Sequence, residues 1–595
     1  MQKEEISERV SNLRMWMKEH SLDAFVFPTT DPHFGEYTPK HWETRKWISG
    51  FTGSAGIAVI TGSKAALWTD SRYFLQAEKQ IAGTPFVLMK ERMPETPSPQ
   101  EWLSENLLAG MTVGIDGWVN SINGAENMEN YLADYSIKTE TAYDPAQILW
   151  NNRPNIPEDK VFIHPIEYSG IDTTEKIKQI RSFLEKNNAE GIFISTLDDI
   201  AWTLNLRGSD THCNPVFVSY LLISLKEIVL YINKVKLTNE AISYLTEKNI
   251  IIKEYSEVAN DLKNLYLSSI VLDSNLTSIS IKKTIPSHCK IINMSSPVPY
   301  FKAIKNEQEI KGFHSAMIKD GVAMVRFLIW LEQNAKSGHI SEIDIDKKLL
   351  ELRSEQNLFC DISFDTIAAY KSHAAIVHYE ASSESNVFLK PQGMLLLDSG
   401  AQYKDGTTDI TRTIALGSLS EEEKRDYTLV LKGHISLSSA VFPEGTCGTQ
   451  LDILARSEMW KEGINYGHGT GHGVGSYLCV HEGPHQIRMN NIPAALQPGM
   501  TVTDEPGIYK EGRYGIRIEN TLLIVPYKTT EFGNFYQFEP LTLCPIDTKP
   551  ILVDRLTDIE KLWLNEYHRN VFTKLSPYLK KKEIEWLQEA TKPIN

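Results

Sequence analysis

Apolar positions divide the chain before any chemistry is considered. Val10, Leu13 and Met17 recur at helical spacing, and an unbroken apolar run, Ala24 to Phe27, comes after them. The first pattern predicts an amphipathic helix and the second a buried strand. An Asp-containing loop follows, then Trp47 to Gly50 and a second strand from Gly56 to Ile60. The same order then returns. Ile177, Ile180 and Leu184 predict a helix and Gly191 to Ser195 a strand. Asp198 and Asp199 mark a loop, Trp202 is followed by Gly208, and Val216 to Ile223 is β-rich. Residues 7–60 and 173–223 therefore read as two copies of one α/β module, too few for a solenoid. The alternative is chance similarity between two generic α/β stretches.

Proline-rich joins separate these modules from each other and from the rest of the chain. NNRPNIPED lies near Asn152 to Glu158, and SSPVPYF lies within Ser295 to Lys305. Such prolines interrupt periodic structure. Asn306 to Gln333 then predicts one long helix, with Val322, Val325, Leu328 and Ile329 apolar, and helices alternate with Gly-punctuated strands to about residue 545. The expected fold class is α/β (α+β). The expected domains are 1–153, 154–302 and 303–595.

Length and charge agree with this division. A guide of about 100–200 residues per domain makes 595 residues three to five domains. Sixty-one basic and 76 acidic residues give a net charge of −15, spread along the chain, which argues against a nucleic-acid-binding surface. MQKEEISERV is charged and lacks an apolar signal region, and no apolar run approaches the ~20 residues of a membrane span. The six cysteines show no CxxC and read as reduced thiols. A cytoplasmic protein without membrane or nucleic-acid partners is expected.

The most informative stretch is 393–417, GMLLLDSGAQYKDGTTDITRTIALG. Met394 to Leu397 deliver Asp398 to the end of a strand, and Asp409 lies beyond it in a Gly- and Thr-rich hairpin. Downstream come His472 in GHGTGHGVG, Glu505 in TDEPG and Glu519 in GIRIEN. Four carboxylates and one imidazole suit Mn²⁺, Co²⁺, Fe²⁺ or Zn²⁺ better than a thiolate site does. Four negative charges balance two divalent ions in a low-dielectric cleft. Ions about 3.5–4 Å apart can share a bridging water, lower its pKa towards neutrality and polarise the carbonyl it attacks. Glu519 is read as alternating with Ile516 and Ile518 and facing away from Arg517.

Three more histidines lie in these motifs: His378 in SHAAIVHYE, His468 in GHGTGH and His481 in VHEGPH. Each is either a donor towards a substrate carbonyl or a satisfied structural histidine. His373 and His485 are read as structural. The glycines of GHGTGHGVG lack the Lys-Ser/Thr of a P-loop and the spacing of a dinucleotide fingerprint.

SHAAIVHY, LLLDSGAQY, TTDITRT, GHGTGHGVG, HEGP, DEPG and GIRIEN together resemble the creatinase/methionine-aminopeptidase superfamily with its pita-bread fold, and within it aminopeptidase P. FTGSAG and WTDSRYFLQA resemble that family's first domain, and YQFEPLTLCPIDTK with LNEYH its closing extension, so the resemblance spans the chain. Three such blocks are similar to the family's three-domain, cytosolic type. The resemblance implies that Asp398 chelates one metal, that Asp409 and Glu519 bridge two, and that His472 and Glu505 complete the second site. Glu505 also manages the proton of the bridging hydroxide. His378, His468 and His481 surround the substrate carbonyl and proline ring, and Arg517 and Arg72 fill substrate-side slots. It implies two Mn²⁺ ions, with Zn²⁺ or Co²⁺ as alternatives, and a homodimer through the catalytic domain. Peptides with a penultimate proline are the implied substrates, cut before that proline. Prolidase, which shares the catalytic domain, and non-catalytic peptide-binding relatives that lose the ligands are the rival readings.

Overall fold

The computed structural model describes residues 2–595. The chain packs as two compact units: residues up to Ile163 with Asp172–Val298, and His164–Ile171 with Pro299–Asn595.

The first unit holds two six-stranded sheets. One comprises β1 (Ala24–Pro28), β2 (Ile57–Thr61), β3 (Ala65–Thr69), β4 (Phe86–Lys90), β5 (Thr112–Ile115) and β6 (Lys138–Glu140), in the order β4-β3-β2-β1-β5-β6. The other comprises β7 (Gly191–Ile194), β8 (Ser219–Ser224), β9 (Ile228–Ile232), β10 (Ile251–Lys253), β11 (Ser269–Leu272) and β12 (Lys290–Asn293), in the order β10-β9-β8-β7-β11-β12. Strand for strand the two orders are the same. β1 runs antiparallel to β2 and parallel to β5, and β7 does the same with β8 and β11. The repeat expected from the sequence is thus a repeat of topology.

The unbroken run Ala24 to Phe27 has a simple cause. Phe25 and Phe27 pack with Val10, Leu13 and Met17 of the first helix, Gln2–Glu19. Ala24 and Val26 point to the opposite face, into a core shared with Phe193, Tyr220 and Leu222 of the second sheet. Side chains alternate across a strand, so a strand buried on both faces carries no polar position.

The second unit opens with the long helix, at Glu307–Asn334. Asn306 accepts from the N–H groups of Gln308 (2.9 Å) and Glu309 (3.0 Å), and Glu309 accepts in return from the Asn306 N–H (3.0 Å), a capping box. The short segment His164–Ile171 belongs here. Asn306 Nδ2 donates to the Ser169 carbonyl (2.9 Å), Gln308 Nε2 to that of Glu167 (2.6 Å), and His164 Nε2 lies 2.9 Å from the Lys404 carbonyl. Helices such as Glu342–Ser354, Glu421–Ser438 and Gly448–Lys461 share the rest with antiparallel strands: Ile367–Tyr370, Met394–Ser399 and Ile410–Ala415 in one sheet, and Val441–Pro443, Gly533–Pro540, Asn520–Thr530 and Thr501–Asp504 in another. Among the described residues no helix is long and apolar enough to cross a membrane.

Candidate metal centre

All six residues of strand Met394–Ser399 are buried, and Asp398 is paired in register with Thr411. Asp409 stands one residue before strand Ile410–Ala415. Thr501–Asp504 hands the chain to Glu505 and pairs Asp504 with Asn520, the residue after Glu519. Glu505 and Glu519 therefore leave neighbouring strands at one edge. The Glu519 N–H donates to the Thr411 carbonyl (3.1 Å), which brings that edge against the strand of Asp409. His472 lies in the short strand Gly471–Gly473. A Cβ on Gly471 would stand 1.9 Å from the Thr503 carbonyl oxygen, so only glycine lets this strand approach.

The side chains converge. His472 Nε2 lies 3.5 Å from Asp409 Oδ2 and 3.6 Å from Glu505 Oε1. His472 Nδ1 is 2.9 Å from the Gly473 carbonyl; a hydrogen bond there puts the proton on Nδ1 and makes Nε2 the acceptor. One donor atom each from Asp409, His472 and Glu519 lies within 4.8 Å of the others. Asp398 Oδ2 takes a pair of hydrogen bonds from Arg517 (Nη2 2.6 Å, Nε 3.2 Å), while its Oδ1 is buried with no hydrogen-bond partner.

Thr411 corrects the expected orientation of Glu519. Its hydroxyl donates to Glu519 Oε2 (2.7 Å) and accepts from Arg517 Nε (3.2 Å). Arg517 and Glu519 therefore face the same way. Two-residue alternation puts positions 517 and 519 on one side, and Ile516 and Ile518 on the other, in the apolar core.

The centre is short of positive charge. Burial first, then the charges of Asp398 and Glu505, hold the Asp409 carboxyl well above its ordinary range. Burial, then Asp409, Asp398 and Glu505, do the same to Glu519. Burial pushes Glu505 up to about 7, against the pull of Arg517. Burial alone would lower the Arg517 guanidinium, but Tyr509, Asp398, Glu505 and Glu519 together hold it well above its ordinary value. Crowded buried carboxylates with an unpartnered oxygen are the chemistry of a cation site. The donor set fits hard divalent ions.

The histidines fall into two groups. His481 packs edge-on against His472, ring centroids 4.3 Å apart, at the centre. His468 Nε2 lies 2.7 Å from the Tyr509 hydroxyl and its Nδ1 3.9 Å from Glu505. His378 comes directly after Val377, whose carbonyl lies 3.5 Å from Arg517 Nη2. His373 is held by Glu342, and His485 Nε2 lies 2.7 Å from the Thr501 carbonyl while its Nδ1 is buried without a hydrogen-bond partner. Arg72, in the first unit, is held by Asp70 (2.9 and 2.7 Å) and stacks on Tyr73.

Other members of the neighbourhood do not stand out from the sequence. Tyr509 bridges Arg517 (2.7 Å) and His468. Behind the carboxylates, Arg412 donates to the Glu519 carbonyl (2.6 Å) and to Asn520 Oδ1 (2.9 Å). His434 joins Asn520 (3.2 Å) to Asp504 (3.2 Å). Behind His481, Glu482 is buried against Lys302 and Lys305. Arg412 and Tyr509 lie inside or beside the quoted motifs, and polar residues in otherwise buried strands are the one signal that points to them.

Residues 311–526 match the metallopeptidase family M24, and 534–594 match the C-terminal region of that family. Residues 9–142 and 152–309 each match the creatinase/prolidase N-terminal domain. Aminopeptidase P1 of Arabidopsis thaliana is 38% identical over 649 residues, spanning 99% of this chain and 100% of the relative. A probable Xaa-Pro aminopeptidase P of Laccaria bicolor is 40% identical over 606 residues, spanning 99% and 94%. The X-prolyl aminopeptidase of Caenorhabditis elegans, described as a cytosolic enzyme with a di-nuclear active site, superposes with a TM-score of 0.93 at 35% identity. That match covers 96% of this chain and 95% of the other. An Xaa-Pro dipeptidase from Bacillus anthracis aligns with 63% of this chain and 99% of its own, at 27% identity and a TM-score of 0.51. With creatinase-type α/β domains ahead of a pita-bread catalytic domain, the chain belongs to the M24 metallopeptidases, in the aminopeptidase P group.

Proposed function

We infer that this chain is a metalloaminopeptidase that releases the N-terminal residue from peptides with proline in second position. The observation that carries this is the convergence of Asp409, Glu519 and His472, with Asp398 and Glu505 beside them, in a chain similar over its whole length to aminopeptidases P. The dipeptidase aligns with less than two thirds of the chain, and the repeated α/β module of the first unit favours the aminopeptidase.

Asp398, Asp409, His472, Glu505 and Glu519 would hold two divalent ions. When bound, these supply Lewis acidity towards the scissile carbonyl and make a water acidic enough to attack at neutral pH. The protein's own groups do the rest. Glu505 takes the proton released by the attacking water. The amide before proline has no N–H, so its nitrogen must gain a proton to leave, and Glu505 delivers it. His481 and His378 donate to the oxygen of the first residue's carbonyl. His468, through Tyr509 and beside Glu505, orients the acid and lines the proline ring's side. Arg517 keeps Asp398 and Tyr509 in place on the substrate side. Arg72 is a proposed substrate-binding residue on the family resemblance alone.

Mn²⁺ as resident metal, a homodimer through the catalytic domain, a cytoplasmic location and the division at 1–153, 154–302 and 303–595 complete the reading. They rest on the family resemblance, and the metal also on the oxygen-rich donor set.

The test compares an Xaa-Pro-Yaa tripeptide with the matching Xaa-Pro dipeptide, using chelated protein before and after adding Mn²⁺. Metal-dependent release of only the first residue from the tripeptide is expected. Cleavage of the dipeptide alone would make the chain a prolidase, and no cleavage of either with any divalent metal would make it a peptide binder.

A further inference from the structure

One buried carboxylate grips both ends of the segment that carries His378. Glu342 is the first residue of helix Glu342–Ser354 and is fully buried. It accepts hydrogen bonds from the backbone N–H groups of Tyr370 (2.8 Å) and Val387 (3.3 Å) and from the Tyr379 hydroxyl (2.9 Å). His373 Nδ1 lies 2.9 and 3.1 Å from its two oxygens. These partners bracket an irregular stretch. Tyr370 ends the strand beside that of Asp398, His373 and Tyr379 flank His378 in sequence, and Val387 brings the chain back. The rings of His373 and Tyr379 stack on each other, 4.4 Å apart.

The other side of the segment is fixed as well. A Cβ on Gly515 would lie 1.8 Å from the Ala374 carbonyl oxygen, so the segment rests directly on the backbone of strand Tyr514–Arg517. A buried carboxylate is costly unless its lone pairs are filled. Here four donors fill them, and all four belong to this one segment. None is a candidate metal ligand.

We propose that Glu342 is a positioning residue for the cleavage reaction: it fixes the backbone on both sides of His378, so that the imidazole stands ready at the substrate carbonyl. The proposal rests on the substrate-side reading of His378 given above. A misplacement of about 1 Å in such a group costs up to about 100-fold in rate.

The experiment is a double-mutant cycle in the full chain loaded with Mn²⁺. It measures kcat, KM and bound metal for the wild type, Glu342→Gln, His378→Ala and the double variant. Glu342→Gln should keep the wild-type metal content, lose about 10–100-fold in kcat and change KM less. The double variant should be no slower than His378→Ala alone. Losses that multiply in the double variant would overturn the proposal while leaving His378 its role. Loss of metal from Glu342→Gln would overturn it too, by showing a general effect on the centre. Full activity of His378→Ala would remove both the proposal and the reading of His378. Should Glu342→Gln fail to fold, Tyr379→Phe takes its place in the cycle, since it deletes only the hydroxyl that donates to Glu342 and lies 3.0 Å from Ser385 Oγ, with a loss of several-fold expected.

Discussion

Two buried regions handle charge in opposite ways. In the first unit, Asp210 and Lys236 are paired with each other at zero side-chain exposure, and Asp210 also accepts from the Val218 N–H (2.5 Å). Arg45, buried in the short helix Thr44–Ser49, spends its guanidinium on the carbonyls of Phe51 and Gly53 and on Thr29. The Asp210–Lys236 pair balances its charge inside the protein, and the Arg45 donors are filled by neutral oxygens. In the second unit Asp398, Asp409, Glu505 and Glu519 crowd together, and Arg517 is the guanidinium packed against them. In the first arrangement one carboxylate has one cation against it, although Asp210 Oδ1 is buried without a hydrogen-bond partner. The second becomes neutral when cations bind, and that difference separates a structural ion pair from a site.

Removing charge should therefore have opposite consequences in the two places. The largest effect is expected at the centre. Glu519→Gln or Asp409→Asn should lower turnover by more than about 1,000-fold, over about 4 kcal/mol of barrier, with the circular dichroism spectrum unchanged. An active double variant would sink the dinuclear reading. Next comes Lys236→Met, which strands Asp210 and should cost about 3–5 kcal/mol in denaturant unfolding. Adding Asp210→Leu should restore most of that. If Lys236→Met were neutral, the balance described for the first unit would be wrong.

The smallest effect sharpens the comparison most. In metal-free protein, Glu505 is raised from the ordinary carboxylate range to about 7. Its protonated form is favoured in the folded state, so its stabilising contribution is complete below about pH 4.5 and is lost as pH rises through 7. Glu505→Gln does not titrate. The variant should gain stability over wild-type metal-free protein as pH rises from about 4.5 to 7, by on the order of 2 kcal/mol. Comparing the two proteins cancels the buried histidines His33, His485 and His568, which burial depresses and which act in the opposite sense. A difference that shrinks with pH would show that Glu505 is not crowded. Saturating Mn²⁺ should abolish it.

Distance along the chain decides how much of this is legible in the sequence. Helix Glu307–Asn334 is legible to one residue at each end because its periodicity and capping residues are local. The strand of Asp398 is legible for the same reason. The orientation of Glu519 is misread when alternation is counted against Arg517 instead of with it, an error that Thr411, 108 positions away, exposes. Glu342 and the His434 link between Asp504 and Asn520 are invisible. Their partners lie 28 to 45 and 70 to 86 positions off, and nothing local distinguishes a buried anchoring acid from a surface one.

The segment His164–Ile171 has a consequence for cutting and inheritance. The chain enters the second unit briefly, returns to the first, and comes back for good only at Pro299. A protease that nicked the chain near Pro299 would leave the carbonyls of Glu167 and Ser169 on one fragment and the amides of Gln308 and Asn306 that they receive on the other. The nicked halves should then co-purify until denatured, and a gene truncated at that point would encode a helix start missing part of its seat. The half that carries the chemistry is not a contiguous stretch of the gene.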